Sequence, residues 1–150
     1  GRRTARLRAA AGRMTAALRW LEERFKAVPP VGCWGALVLY SALIFAASSR
    51  SSTGIRLPIA GLDKAVHFVM YAVWALLGLA ALSRQFPRLS LPRRAVLAAL
   101  GAAAYGLADE LHQIFVPGRH ADPLDWLADA AGAAAAVATC GALARLRKTA

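Results

Sequence analysis

The stretch from 105 to 132, YGLADELHQIFVPGRHADPLDWLADAAG, concentrates the residue types that carry acid–base chemistry. It holds five of the eight acidic residues and two of the three histidines of the chain. Carboxylates that crowd histidines in a medium of low dielectric constant have shifted pKa values, and such groups often transfer protons in active sites. The stretch is therefore predicted to contain a functional site.

Polar residues at helical spacing form three stripes along the chain. In the first, Asp63, His67 and Tyr71 follow one another at intervals of four, which places them on one face of a helix. The other two stripes are Tyr105, Asp109 and His112 with Glu110 and Gln113 beside them, and Asp122, Asp125, Asp129 and Gly132.

Apolar segments contain or flank these stripes, and they predict an all-α, polytopic membrane protein. The chain has 150 residues and is 58% hydrophobic, which is more than a soluble domain of this length usually contains. Four transmembrane helices in a bundle are predicted, at residues 27–49, 65–83, about 95–116 and about 124–143. The last two carry carboxylates, so their hydropathy signal is weaker.

The placement of lysine and arginine predicts that both termini are cytoplasmic. Fifteen of the nineteen lysine and arginine residues lie before the first span, between the second and third spans, or after the fourth span. The other four are Arg50, Arg56, Lys64 and Arg119. The polar stripes would then face the outside of the cell. Residues 1–30 are predicted as a basic amphipathic segment, with a charged and partly disordered tail as the alternative. Residues 31–145 are the membrane domain, and 146–150 are a basic cytoplasmic tail.

The three stripes are predicted to line one polar cavity near the outer leaflet. At a rise of about 1.5 Å per residue, His67 lies roughly 6 Å inward from Asp63, Asp129 about 9 Å inward from Pro123, and Asp109 at a similar level. A carboxylate at mid-bilayer costs about 2.5–3.5 kcal/mol, so several of them together favour a functional site. A fully satisfied polar network without function is the alternative.

Each polar residue can be given a role in this cavity. If the protein is an enzyme, His67 and Glu110 would be the acid/base pair, Asp109 and Asp129 would orient them, and Arg119 would form an ion pair or hold an anionic group. The remaining binding candidates are Tyr71, Gln113, Asp63, Lys64, His112 and Asp125. For Asp122, capping of a helix N-terminus is the favoured role, and for Asp63 and Asp125 capping is the alternative to binding.

No metal, cofactor or nucleic acid is predicted as a partner. His67, His112, Glu110 and Asp109 offer nitrogen and oxygen ligands, but no HExxH or paired CxxC pattern accompanies them. The net charge of +11 comes without a nucleic-acid-binding motif.

Two pieces of the chain, DKAVHFVMY (63–71) and DELHQIFVPGR (109–119), resemble the VanZ-like family of small bacterial integral membrane proteins, named for a teicoplanin-resistance protein. The resemblance covers about residues 31–145. It implies a link to lowered glycopeptide susceptibility. Asp129 departs from the asparagine that the family commonly has there, which adds an acid. The motif residues that it implies are Asp63, Lys64, His67, Tyr71, Asp109, Glu110, Gln113, Arg119, Asp125, Asp129 and Gly132.

The leading hypothesis is a membrane protein that acts on a cell-envelope lipid or a lipid-linked precursor through an outward-facing cavity. As an enzyme it would hydrolyse or transfer a group at the lipid head group. The alternatives are a non-catalytic binding or protective protein, a small transporter, and a purely structural polar network. The lipid bilayer and this lipid are the predicted partners, and the oligomeric state is left open.

Overall fold

The computed structural model describes residues 27–51 and 61–149, and these form four α-helices without any strand. In chain order the helices are α1 (Pro30–Ser48), α2 (Leu62–Gln85), α3 (Leu91–Gln113) and α4 (Pro123–Thr149). The all-α class is confirmed. The predicted amphipathic N-terminal helix falls outside the described residues.

Proline fixes where three of the helices begin. Pro30 and Pro123 are the first residues of α1 and α4, and Pro92 lies in the first turn of α3. A proline is favourable there because its φ angle is already helical and the first turn needs no N–H donor. Helix α3 therefore starts four residues earlier than predicted. It ends at Gln113 and not at Val116, because turns lead from there into Gly118, which has a φ of 78°.

Three helices of the described chain are long and apolar enough to cross a membrane: Pro30–Ser48, Leu62–Gln85 and the part Pro123–Leu146 of α4. Helix α3 is rich in alanine and glycine and ends with Asp109 and Glu110, so its own composition does not identify it as a span. The membrane class of the protein is thus supported, while the fourth predicted span rests on other arguments.

The outer surface of the bundle exposes large apolar side chains, while several polar side chains are buried. Val38 and Leu100 are 65% and 62% exposed, although both are large aliphatic residues. The buried polar residues are Ser48, Asp109, Glu110, Gln113 and Asp129. This arrangement suits a hydrocarbon surrounding, in which lipid covers the outer surface and polar groups face one another.

Small residues bring the helices close together. Helices α2 and α4 make the most extensive contact, and α3 packs against both, while α1 packs mainly on α2. At the α2–α4 contact, a Cβ atom on Gly132 would overlap the Phe68 carbonyl, so only glycine fits. Gly132 therefore allows α2 and α4 to approach closely. The buried core between the helices consists of Tyr71, Ala75, Leu79, Ala98, Ala102, Ala133 and Val137.

Candidate functional site

The ends of α1 and α3 and the beginnings of α2 and α4 meet at one end of the bundle. The polar residues there form two layers. The outer layer is Asp63, Lys64, Asp122 and Asp125, and the inner layer is His67, Asp109, Glu110, Gln113 and Asp129. We call the two layers together the polar cluster. The three stripes that the sequence predicts to face one another therefore do so.

Lys64 organises the outer layer by binding three carboxylates. Its Nζ lies 2.8 Å from Asp122 Oδ2, 2.9 Å from Asp125 Oδ1 and 3.1 Å from Asp63 Oδ2. The hydrogen bond from the Lys64 ammonium lowers the pKa of Asp122, which precedes α4. These ion pairs tie the first turn of α2 to the first turn of α4.

Two of the acidic residues in this layer differ in their helix-capping role. Asp122 Oδ1 accepts the Leu124 N–H at 2.8 Å, so Asp122 caps α4 as predicted. For Asp63 the capping alternative is wrong, because Gly61, with a φ of 80°, is the N-cap of α2 and Asp63 lies in the first turn. Asp125 contacts Lys64 and lies near His67, which makes it part of the cluster.

His67 lies between two carboxylates and is oriented by the inner one. Its Nδ1 is 2.9 Å from Asp129 Oδ1, and its Nε2 is 3.9 Å from Asp125 Oδ2. Asp129 is 0% exposed, so this hydrogen bond is shielded from water. An ionised Asp129 accepts a hydrogen bond from the Nδ1–H group, which leaves Nε2 as the nitrogen that can exchange a proton with another molecule.

Glu110 holds the loop between α3 and α4. Its Oε2 accepts the Asp122 N–H at 2.7 Å, and its Oε1 lies 3.5 Å from Gln113 Nε2. The neighbouring Asp109 accepts the Ser48 hydroxyl through Oδ2 at 2.8 Å. Both carboxylates are buried, and the second oxygen of Asp109, Oδ1, has no hydrogen-bond partner among residues 27–51 and 61–149.

His112 and Arg119 lie beside the cluster, where they contact the end of α1. His112 Nε2 is 2.9 Å from Ser49 Oγ, and since this hydroxyl is 2.7 Å from the Phe45 carbonyl, His112 is the donor. Arg119 donates to the Ser48 carbonyl at 3.1 Å. Within the described ranges no carboxylate pairs with Arg119, so the ion pair expected for it is not found there; its predicted anion-binding role stays a prediction.

Aromatic rings form the floor of the cluster. The Tyr71 ring is fully buried, and its centroid lies 6.5 Å from His67 and 6.3 Å from Tyr105. The Tyr105 hydroxyl donates to the Ser41 carbonyl at 2.7 Å, whereas the Tyr71 hydroxyl has no partner in the part of the chain that the structure describes. Tyr71 therefore reaches the inner layer from below, which is compatible with the binding role predicted for it.

Sequence reasoning missed Ser48, Ser49 and Gly106. The two serines end an apolar helix and belong to no periodic pattern, so no local signal connects them to Asp109 or His112. Gly106 was recognisable only as a small residue one turn before Glu110. A Cβ atom on it would lie 2.7 Å from Asp129 Oδ2 and 3.2 Å from Tyr71 Cε1, so glycine is needed for α3 to approach the site.

An apolar groove of about 640 Å³ lies at the opposite end of the bundle, between the start of α3 and the end of α4. Its walls include Leu91, Ala95, Val137 and Arg145, and no residue of the polar cluster contributes to them. The predicted outward-facing polar cavity is thus a different place from this groove, and it stays a prediction.

One triad in the inner layer has the donor atoms to hold a metal ion. His67, Glu110 and Asp129 come from three different helices, and one ligand atom of each lies within 4.8 Å of the others. This set differs from the set that the sequence suggests, because Asp109 and His112 turn toward Ser48 and Ser49.

Comparison with known proteins gives one result. The sequence model of a family described as VanZ/LLP1 matches residues 16–144, which includes all the residues of the polar cluster. Neither curated proteins nor solved structures give a match.

Proposed function

The chain belongs to the VanZ-like family, and from this premise we propose that its polar cluster engages the head group of a cell-envelope lipid or lipid-linked precursor at the outer surface of the bacterial cytoplasmic membrane. The observation that carries the proposal is the burial of Asp109, Glu110 and Asp129 at one end of a bundle whose outer surface is apolar. Such groups are costly in a membrane and usually mark a substrate or ion site.

The distribution of arginines supports the outward orientation of the cluster. Arg84 and Arg94 lie at the other end of the bundle, where they donate to the carbonyls of Val28 and Ser83 at 3.0 and 3.3 Å. Arginine-rich ends of membrane proteins are usually cytoplasmic. In the proposed orientation both termini are therefore cytoplasmic and the cluster faces the outside.

Chain connectivity supports α3 as a fourth membrane span. Both α2 and α4 begin at the polar cluster and run to the other end, so α3 must return across the bundle between them. Its 23 residues measure about 34 Å at 1.5 Å per residue, enough for a hydrocarbon core of about 30 Å. Its outer face also carries exposed apolar residues, namely Val96, Leu97, Leu100, Leu107 and Leu111.

Arg119 is the residue best placed to meet an anionic head group. It is half-buried at the rim of the cluster, and the Ser48 carbonyl accepts from only one of its nitrogens. Guanidinium groups bind phosphate with two parallel hydrogen bonds. Lys64, in contrast, is already neutralised by three carboxylates, so it is a poor second anchor for an anion.

A second candidate function is hydrolysis or group transfer at the same head group. The observation in its favour is the buried hydrogen bond from His67 to Asp129, which orients the ring so that Nε2 can exchange a proton. Replacing His67 and Glu110 by glutamine separates the two functions. Turnover by an acid–base site would collapse in both variants, whereas lipid binding would largely remain.

The test of head-group binding is lipid mass spectrometry of the purified protein in a gentle detergent. We expect one envelope phospholipid or lipid-linked precursor to be enriched several-fold over the membrane extract, and this enrichment to disappear in Arg119→Ala. The matched control is Arg50→Ala, because Arg50 is an exposed arginine at the same end of the bundle. Equal lipid content in all three proteins would contradict the proposal.

We propose further that any effect of this chain on glycopeptide susceptibility acts through this lipid. Expression of the wild type in a susceptible strain should then raise the inhibitory concentration of teicoplanin, and Arg119→Ala at equal protein level should not. A resistance effect that survives loss of lipid binding would separate the two properties.

A further inference from the structure

Three ligand atoms of the inner layer converge from three helices. His67 on α2 is 13% exposed, Glu110 on α3 is 4% exposed and Asp129 on α4 is fully buried. One nitrogen or oxygen atom of each lies within 4.8 Å of the others. We propose that this triad binds a single divalent transition-metal ion, with Zn²⁺ as the best-matched one.

Unpartnered oxygens independently point to a missing cation. Asp129 Oδ2 and Asp109 Oδ1 are buried and have no hydrogen-bond partner among the described residues. Asp129 Oδ2 lies against Gly106, so it faces the helix that carries Glu110 one turn further on. Leaving a buried carboxylate oxygen without a partner costs on the order of 1–3 kcal/mol, and a bound cation removes this cost.

The charges of the inner layer are also uncompensated. In the described part of the chain, no lysine or arginine forms an ion pair with Asp109, Glu110 or Asp129. Lys64 is bound by the outer carboxylates, and Arg119 donates to the Ser48 carbonyl. A protonated His67 would supply one positive charge against three negative ones, whereas a divalent ion would bring the inner layer close to neutrality.

The donor set selects the class of ion. One imidazole nitrogen and two carboxylate oxygens suit Zn²⁺ and its first-row neighbours such as Mn²⁺, while Ca²⁺ and Mg²⁺ prefer oxygen alone. Metal–ligand bonds of about 2.0–2.2 Å require the three side chains to close slightly around the ion. Three protein ligands leave a coordination position open, which water or a phosphate oxygen can take.

Ion binding would replace the proton that His67 and Asp129 share. Nδ1 and Asp129 Oδ1 are 2.9 Å apart and are held by a hydrogen bond. Coordination needs a neutral imidazole and ionised carboxylates, so the ion releases protons on binding and its affinity falls at acidic pH. A coordinated His67 nitrogen is not free for proton transfer, so the ion site is compatible with head-group binding and not with acid–base catalysis through that nitrogen.

The test is direct binding of Zn²⁺ to the tag-free protein in detergent after treatment with a chelator. Isothermal titration, checked by elemental analysis after desalting, should give one Zn²⁺ per chain. Glu110→Gln keeps one oxygen that can accept the Asp122 N–H, and Asp129→Asn keeps one that can accept from His67 Nδ1. Both lose the negative charge, and each should weaken binding at least tenfold. His67→Gln should do the same.

The control is His120→Gln, which removes an exposed histidine of the α3–α4 loop that lies outside the polar cluster. This variant should bind like the wild type. The proposal is overturned if the folded wild type takes up no Zn²⁺, or if the three triad variants keep its affinity. Should Asp129→Asn fail to fold, Glu110→Gln decides alone. Because the titration measures bound metal and the mass spectrometry measures bound lipid, a failure here leaves the lipid enrichment experiment standing, and the reverse also holds.

Discussion

Gly132 is the position at which a single methyl group should disturb both the fold and the site. An alanine Cβ there would overlap the Phe68 carbonyl of α2, and that atom belongs to the backbone, which cannot rotate away. The helices must therefore separate by on the order of 1 Å to restore ordinary packing. Gly132 lies three residues after Asp129, and Phe68 follows His67, so the separation acts directly on the pair that those two residues form.

The size of the effect follows from these contacts. A separation of that order lengthens the His67–Asp129 hydrogen bond from 2.9 Å to beyond the range in which it contributes. Overpacking costs about 1–3 kcal/mol, the lost hydrogen bond adds about 1 kcal/mol, and alanine regains about 1 kcal/mol in helix propensity. Gly132→Ala should thus lower the free energy of unfolding by about 2 kcal/mol, which corresponds to a Tm lower by roughly 4–8 °C.

The matched control is Gly141→Ala in the same helix, because a Cβ at Gly141 meets nothing within 4 Å. Thermal unfolding in detergent should place this variant at or slightly above the wild type, since only the gain in helix propensity acts there. Gly132→Ala should also bind Zn²⁺ more weakly than Gly141→Ala. If both variants melt at the temperature of the wild type, the close approach of α2 and α4 is not what the glycine provides.

Two further predictions concern the polar contacts around the site. Lys64 lowers the pKa of Asp122 below its ordinary 3.8, so the pair stabilises the fold above that pH, and its contribution disappears as the pH falls through the lower pKa of the folded state. Thermal melts from pH 7 to 3 should therefore show a smaller acid-induced loss of stability for Lys64→Met than for the wild type. Equal losses in the two proteins would contradict the stabilising role of this ion pair. Ser48→Ala removes the hydroxyl that donates to buried Asp109 at 2.8 Å, so it should lower the free energy of unfolding, measured with denaturant, by about 1–3 kcal/mol. Ser49 is exposed, so Ser49→Ala should lower it much less. Similar losses in both variants would argue against a buried hydrogen bond at Ser48.

The sequence predicted the helices and their polar stripes because both depend on local periodicity. Four-residue spacing placed Asp63 and His67 on one helix face, and the cost of polar groups in a membrane predicted that this face meets the stripe of Asp129, which His67 contacts. The Asp-Pro pair likewise indicated the start of α4. Exact helix ends were harder, because the turn at 114–118 depends on backbone geometry that hydropathy does not register.

The contacts of α1 could not be predicted from the sequence. Ser48 and Ser49 reach Asp109 and His112 across more than sixty residues, and neither serine belongs to a stripe. These contacts turn Asp109 and His112 away from His67, so the metal-capable set changes from the one that composition suggests to His67, Glu110 and Asp129. Which polar residues share a site is therefore decided by tertiary packing, even where spacing decides which of them face inward.

Position 129 shows what distinguishes a hydrogen-bonding site from an ion site. The asparagine that the VanZ-like pattern commonly has there could still accept the His67 N–H through its amide oxygen, so it would keep the ring orientation seen with Asp129. It could not supply the second negative charge that a divalent ion needs from this triad. The aspartate thus adds a negative charge at a position where an asparagine could accept the same hydrogen bond, and its Oδ2 has no hydrogen-bond partner within the described part of the chain. If the ion binds as proposed, metal dependence is a property of chains with an acid at this position, and head-group binding through Arg119 is the property that chains with asparagine would share.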